Sequence, residues 1–334
     1  MAKIDEWCDD LDASNNILWI RGFPGVGKSA VARKLASKLK SSHRFGSSFF
    51  FQRELATVQT PVSLWRTVAS DLSHEYPSAR SAIITKLKDN EIDLENTDAE
   101  ELFMSLVEEP LKQSSDIPQG RLPVVVIDAM DECGGLDGSQ SKHWTILLRG
   151  VRAWARLGPR FKLVVTGRPE DDISQAMSAI SQCVELDSGE NVSASSSRDI
   201  HSFLRREFAR IASKYPESLP PAWPGEEAIE RFTKRSAGLF IYADTLIKFV
   251  DEGHPKEQLK SILSGPLHHG SMTQLYRQIL DVSFKDPSAT VLEAFRKVTG
   301  TIILAKIPLR RQDIEHLLDM ERVDLEHKIG RAHV

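Results

Sequence analysis

Cysteine is scarce in this chain of 334 residues: there are three, Cys8, Cys133 and Cys183, odd in number and far apart. That excludes a disulfide framework and offers no zinc-ligand spacing, so free thiols in a reducing, cytoplasmic compartment are expected. No apolar run approaches the ~18 residues of a membrane-spanning helix, and Met1-Ala2-Lys3-Ile4-Asp5-Glu6 lacks the apolar core of a signal peptide. No membrane partner is expected. Neither sign of charge prevails, since 43 Lys and Arg face 47 Asp and Glu, for a net charge of −4. The basic residues are scattered, and the pairs Arg205-Arg206 and Arg310-Arg311 suit solvated helix faces, so the chain has no electrostatic footprint for nucleic acid. Internal repeats are absent as well, which excludes a solenoid or propeller across these residues. What is left, 41% hydrophobic and 27% charged, is the composition of a globular protein with room for about two domains.

Against that plain background one segment stands out. Gly22-Phe23-Pro24-Gly25-Val26-Gly27-Lys28-Ser29 has the spacing G-x-x-x-x-G-K-S, which average composition produces by chance in roughly 1% of chains this long. Its surroundings fit. Ile17-Leu18-Trp19-Ile20 reads as a buried strand before it, and residues 30–39 as a helix after it, apolar at 31, 32, 35, 36 and 39. A strand, a glycine-rich turn and a helix N-terminus together point backbone N–H groups at an anion. Glycines allow the tight turn and the close approach. Residues 22–29 and Ala30 are therefore expected to bind the phosphates of a nucleoside triphosphate, with Lys28 on the β- and γ-phosphates and the Ser29 hydroxyl on Mg²⁺.

Val124-Val125-Val126-Ile127 suits a parallel strand buried on both faces, and it ends in Asp128, the Walker B arrangement. Asp128 is expected opposite Ser29 on the metal. Asp131 and Glu132 lie just past the strand end, where a carboxylate can orient or deprotonate the attacking water; the bland alternative is an acidic loop capping a strand. A third strand, residues 161–165, leads into Thr166-Gly167-Arg168-Pro169. Arg168 is a candidate γ-phosphate sensor, or else an ordinary surface arginine before a helix over residues 169–177. Residues 45–51 and 183–186 read as the remaining strands.

These residues resemble a family. Asp128-Ala129-Met130-Asp131-Glu132 is similar to the Walker B end of NACHT-type STAND signal-transduction ATPases. The residues around the loop, Phe49-Phe50-Phe51, Thr166 to Pro169, Gly238-Leu239-Phe240-Ile241-Tyr242-Ala243 and Leu275-Tyr276-Arg277-Gln278-Ile279-Leu280 extend the likeness over about residues 5–325, most closely to fungal NLR-like and nephrocystin-like members. The resemblance implies an α/β P-loop NTPase with a parallel five-stranded sheet of order 5-1-4-3-2. It implies the boundaries 1–14 for a linker helix, 15–190 for the NTPase domain, 191–305 for a helical domain and 306–328 for the start of a winged helix. It also implies a slow Mg²⁺-dependent ATPase that closes over ADP and opens on exchange for ATP. Homo-oligomerisation then follows, a protein effector receives the signal, and the setting is fungal innate immunity or self/non-self recognition. In the family the Gly238 region lies near the adenine.

The residues alone give helices over 199–213, with Ser197 as N-cap, and over 226–236, 239–250, 271–284, 289–304 and 309–320. Four prolines make residues 216–224 a loop. Phe240, Leu246 and Phe249 suit a core better than a ligand, and His268-His269 a solvated loop better than a metal. The seventy-odd residues between Phe51 and Val124 exceed a minimal crossover and are expected to add helices beside the sheet, with a possible insertion in 86–101. The last six residues, 329–334, back-translate into a sequencing-adapter stretch and are expected to be non-native. A GTPase is a weaker reading, because no Asn/Thr-Lys-x-Asp motif follows Walker B. A small-molecule kinase lacks an arginine-rich lid, and a non-hydrolysing scaffold would not need Lys28, Ser29, Asp128 and Glu132 intact.

Overall fold

A computed structural model describes residues 1–319 apart from 11, 90, 91, 93–97, 115, 117–122, 136–140, 265–271, 285–287 and 306–308. The chain divides into two units, Met1–Leu186 and Asp187–Val334.

In the first unit five strands form one parallel sheet: β1 (Ile17–Arg21), β2 (Phe45–Phe50), β3 (Val124–Asp128), β4 (Lys162–Gly167) and β5 (Gln182–Glu185). Their order is β2-β3-β4-β1-β5, the expected 5-1-4-3-2 read from the other edge. The apolar runs of β1, β3 and β4 become strands because each is covered on both faces. Along β1, Leu18 and Ile20 face one way with Val124, Val126 and Val164, packed on α1 (Ala2–Asp9) and α2 (Lys28–Ser41). Ile17 and Trp19 face the other way with Val125, Ile127, Leu163 and Val165. The period of two sends alternate residues into two cores, so a strand between them must be apolar throughout.

The second face is covered largely by the long connection after β2. α3 (Pro61–Glu75) starts at Thr60, whose hydroxyl accepts from the Ser63 amide in a capping box, with Pro61 in the first turn. α4 (Pro77–Lys88) follows. Then α5 (Ala99–Phe103) runs through a π-helical turn, Met104–Glu108, into α6 (Glu109–Gln113). Leu64, Trp65, Val68, Leu102 and Phe103 are fully buried, so this connection builds core as the sequence suggests; part of the stretch 86–101 lies outside the described residues. α7 (Lys142–Ala155) adds Trp154, stacked on Trp65 with centroids 6.4 Å apart. Gly150 is required there, since a Cβ would lie 2.4 Å from Cζ2 of Trp65. α8 (Asp171–Ser178) begins two residues later than expected, because Glu170 is still extended (φ −69°, ψ 148°). β4 correspondingly starts at Lys162 and runs on through Gly167.

The second unit is helical: α9 (Ala194–Lys214), α10 (Glu226–Ser236), α11 (Phe240–Glu252), α12 (Pro255–Ser264), α13 (Met272–Ser283), α14 (Ala289–Leu304) and α15 (Arg311–Leu318). Its core gathers Ile200, Leu204, Phe208, Phe232, Leu246, Phe249 and Ile262, with Phe240 packed against it. One cap is corrected: Ser193, not Ser197, starts α9, its hydroxyl accepting from the Ser196 amide, while the Ser197 amide already donates to the Ser193 carbonyl. Four nearby serines offer the same hydroxyl, and the first in an extended conformation takes the cap. Gly238 (φ +85°) separates α10 from α11; a Cβ there would lie 2.7 Å from the Asp187 carbonyl oxygen. His268-His269, most of the expected winged-helix start and the tail 329–334 lie outside the described residues.

Candidate functional site

β1 ends at Arg21 and the loop follows at once. Gly25 and Gly27 have φ of +82° and +97°, in the left-handed region that side chains disfavour. Gly22 is needed for space, since a Cβ there would lie 2.8 Å from the Leu186 carbonyl oxygen and 2.9 Å from Cγ2 of Val26. Val26 is buried and anchors the loop, whereas Phe23, Pro24 and Ala30 are exposed. Gly27 is the N-cap of the 14-residue α2 and no side chain caps its amides. A glycine cradle at an uncapped helix start fits a phosphate group by its own chemistry.

Lys28 opens α2 and its ammonium donates to the carbonyls of Gly22 (2.7 Å) and Phe23 (3.2 Å), which holds the charge over the loop. Burial lowers its pKa. Among its charged neighbours Asp131, Asp128 and Glu132 favour the ammonium and Arg168 opposes it. The structure thus brings the loop lysine into the field of all three acids and the arginine that the sequence singled out. Ser29 sits half-buried in the same first turn.

The acids come from the end of β3. Parallel pairing sets Phe50 beside Asp128 and Ile127 beside Val165, so Asp128 comes next to Thr166 on β4. Asp128 is 3% exposed, and its Oδ1 accepts from the Thr166 hydroxyl at 2.5 Å. The same hydroxyl accepts from the Ala129 amide at 2.9 Å. With its one proton given to Oδ1, Thr166 fixes the carboxylate's rotation; Asp128 and Ser29 are oxygen donors of the kind that could hold Mg²⁺. Ala129 then takes a left-handed conformation (φ +53°) and starts a 3₁₀ turn, Met130–Glu132, that carries both further acids.

Those two acids have different partners. Asp131, its side chain 3% exposed, accepts from the Arg168 amide (3.2 Å) and pairs with Arg168 Nε (3.1 Å). Gly167 leaves room for this, since a Cβ would come within 3.1 Å of Met130 Cγ and 3.4 Å of Asp131 Oδ1. Arg168 is therefore neither loose on the surface nor independent of Walker B. Glu132 Oε2 accepts from the Arg53 amide at 3.1 Å. Burial raises the Glu132 pKa, with Asp131 and Glu54 acting the same way and the Arg53 amide and side chain opposing. Thr166 and Arg53 were not among the residues expected at the site. The register of β3 against β4 would have found Thr166. No sequence signal marks Arg53, whose contribution is a backbone amide.

Comparison with known proteins places residues 1–168 in the match of one family, described as Nephrocystin 3, N-terminal. No curated protein matches the chain. Among solved structures it is similar to a Walker-type ATPase of Pyrococcus abyssi (12% identity, 99% of this chain and 87% of that one, TM-score 0.45). It is similar also to Drosophila ORC bound to DNA (11%, 97% and 85%, TM-score 0.46) and to AMPPCP-bound DnaA from Aquifex aeolicus (11%, 98% and 85%, TM-score 0.42).

Proposed function

We propose that this chain, which belongs to the Nephrocystin 3, N-terminal family and has the fold of a P-loop NTPase, is an ATP/ADP switch that hydrolyses ATP slowly with Mg²⁺. One observation carries the reading: the Lys28 ammonium, Asp128, Asp131, Glu132 and Arg168 share a single electrostatic neighbourhood at the carboxyl ends of β1, β3 and β4. The amides of the Gly22–Ser29 loop would bind the phosphates and Lys28 would neutralise their charge. Ser29 and Asp128 would hold Mg²⁺, which when bound offsets charge on the transferred phosphoryl group. Glu132 would accept a proton from the attacking water.

The switch lies in Arg168. In the structure its partner is Asp131. A γ-phosphate would compete for that guanidinium and a diphosphate would not, and such a difference in contacts is what shifts a conformational equilibrium. The proposed output is a change of conformation and self-assembly, passed to a protein effector, in the self/non-self signalling that the sequence resemblance suggests.

Mass spectrometry of the nucleotide that copurifies with the full chain tests this directly. ADP is expected, whereas GDP would point to a GTPase. Lys28→Ala is expected to lower nucleotide affinity at least 100-fold by isothermal titration; unchanged affinity would remove the site.

A further inference from the structure

The segment that follows β2 grips the end of β3 and the turn after it, at two points. The Phe51 amide donates to the Asp128 carbonyl at 3.1 Å, and two residues on the Arg53 amide donates to Glu132 Oε2 at 3.1 Å. The first point is the strand end that carries the candidate metal ligand Asp128, and the second is the last residue of the 3₁₀ turn after it. The second contact takes one carboxylate oxygen and leaves the other for a further partner. Asp131 is placed otherwise, buried and engaged twice by Arg168. From this geometry we infer that the Arg53 backbone amide is the positioning group for Glu132, which addresses the attacking water, while Asp131 is reserved for Arg168. This rests on the reading of the site as a nucleoside-triphosphate hydrolase.

The charged groups that act on Glu132 are Asp131 beside it, Arg53 and Glu54 from the segment after β2, and the Lys28 ammonium. The Arg53 amide favours the charged carboxylate against the effect of burial. Without it, Glu132 keeps its proton to higher pH.

Backbone geometry permits a clean test. Arg53 opens the 3₁₀ helix Arg53–Leu55, and Gln52 before it is extended at φ −136°, ψ 127°. That is a conformation proline tolerates in its predecessor, and the first residue of a helical turn suits proline. Arg53→Pro therefore deletes the N–H together with the side chain, while Arg53→Ala deletes the side chain and keeps the N–H, so the difference between the two variants isolates the amide. Steady-state ATPase rates of the full chain from pH 5 to 9, with ATP affinity measured alongside, give the readout. Arg53→Pro is expected to bind ATP within about twofold of wild type and to lose roughly 10–100-fold in kcat. The acid limb of its pH profile should move up by about one pH unit. The Arg53→Ala limb should move up by less, because that variant loses only the guanidinium charge and keeps the amide. A proline variant whose kcat and limb match those of Arg53→Ala overturns the inference and leaves the hydrolase reading standing, whereas a wild-type chain that does not turn ATP over removes both. Should the proline variant not fold, Asp131→Asn and Glu132→Gln decide: the larger loss of kcat is expected for Glu132→Gln, and the reverse order overturns the inference.

Discussion

Thr166 shows how much a single hydroxyl can arrange. It donates to Asp128 and accepts from the Ala129 amide, so it fixes a carboxylate and satisfies a backbone donor at a left-handed residue in one stroke. Thr166→Val keeps the shape and removes both bonds, leaving polar groups at a buried site without partners. A loss of about 1–3 kcal/mol in stability is expected from urea unfolding, with a weaker Mg²⁺ dependence of turnover; Thr166→Ser should recover most of both. Equal midpoints for the valine variant and wild type would show that the bonds contribute nothing net. At this scale the sequence was readable where chemistry is tied to spacing. Lys28 and Ser29 follow from the loop pattern and Asp128 from the end of an apolar run. It was not readable where the donor is the peptide group, as at Arg53, because every residue but proline carries the same amide.

Elements are legible for a related reason. β1 and β3 declare themselves because a strand between two cores has no polar face, and the helix after the loop because its apolar residues keep a period near 3.6. Boundaries and caps were harder: the serines around Ser193 compete for one role, and Glu170 stays extended before α8 begins. The sheet order rested on family likeness, since periodicity does not say which strand lies next to which. Gly150 was likewise invisible, a glycine inside a helix whose reason is a tryptophan 85 positions earlier. Alanine there improves helix propensity by about 1 kcal/mol. It also drives a Cβ to 2.4 Å from the buried Trp65 ring, which packs edge-on against Phe103. Overpacking should win, so Gly150→Ala is expected to lose about 1–3 kcal/mol in denaturant unfolding. A variant as stable as wild type would mean that the ring has room to yield.

For the whole molecule, each unit has its own core, and five of the six tryptophans (Trp7, Trp19, Trp65, Trp144 and Trp154) lie in the first. Tryptophan fluorescence therefore reports mainly on Met1–Leu186, the unit that carries the loop. A ligand at 100 times its Kd adds about 2.7 kcal/mol to the state that binds it. Melting followed by this signal should then rise by roughly 5–10 °C with saturating ADP and Mg²⁺. Lys28→Ala should abolish the rise, and a shift that survives the substitution would locate the ligand elsewhere.

The outermost strand offers a practical handle. Cys183 is exposed on β5 and pairs in register with Trp19, three positions before the loop begins. Cys8 and Cys133 are buried, their thiols pushed up by burial to about 11 and about 12, and so are poor nucleophiles. Maleimide chemistry on the native chain should accordingly attach one dye at the sheet edge, giving an optical reporter on the strand that pairs with β1, with no engineered cysteine.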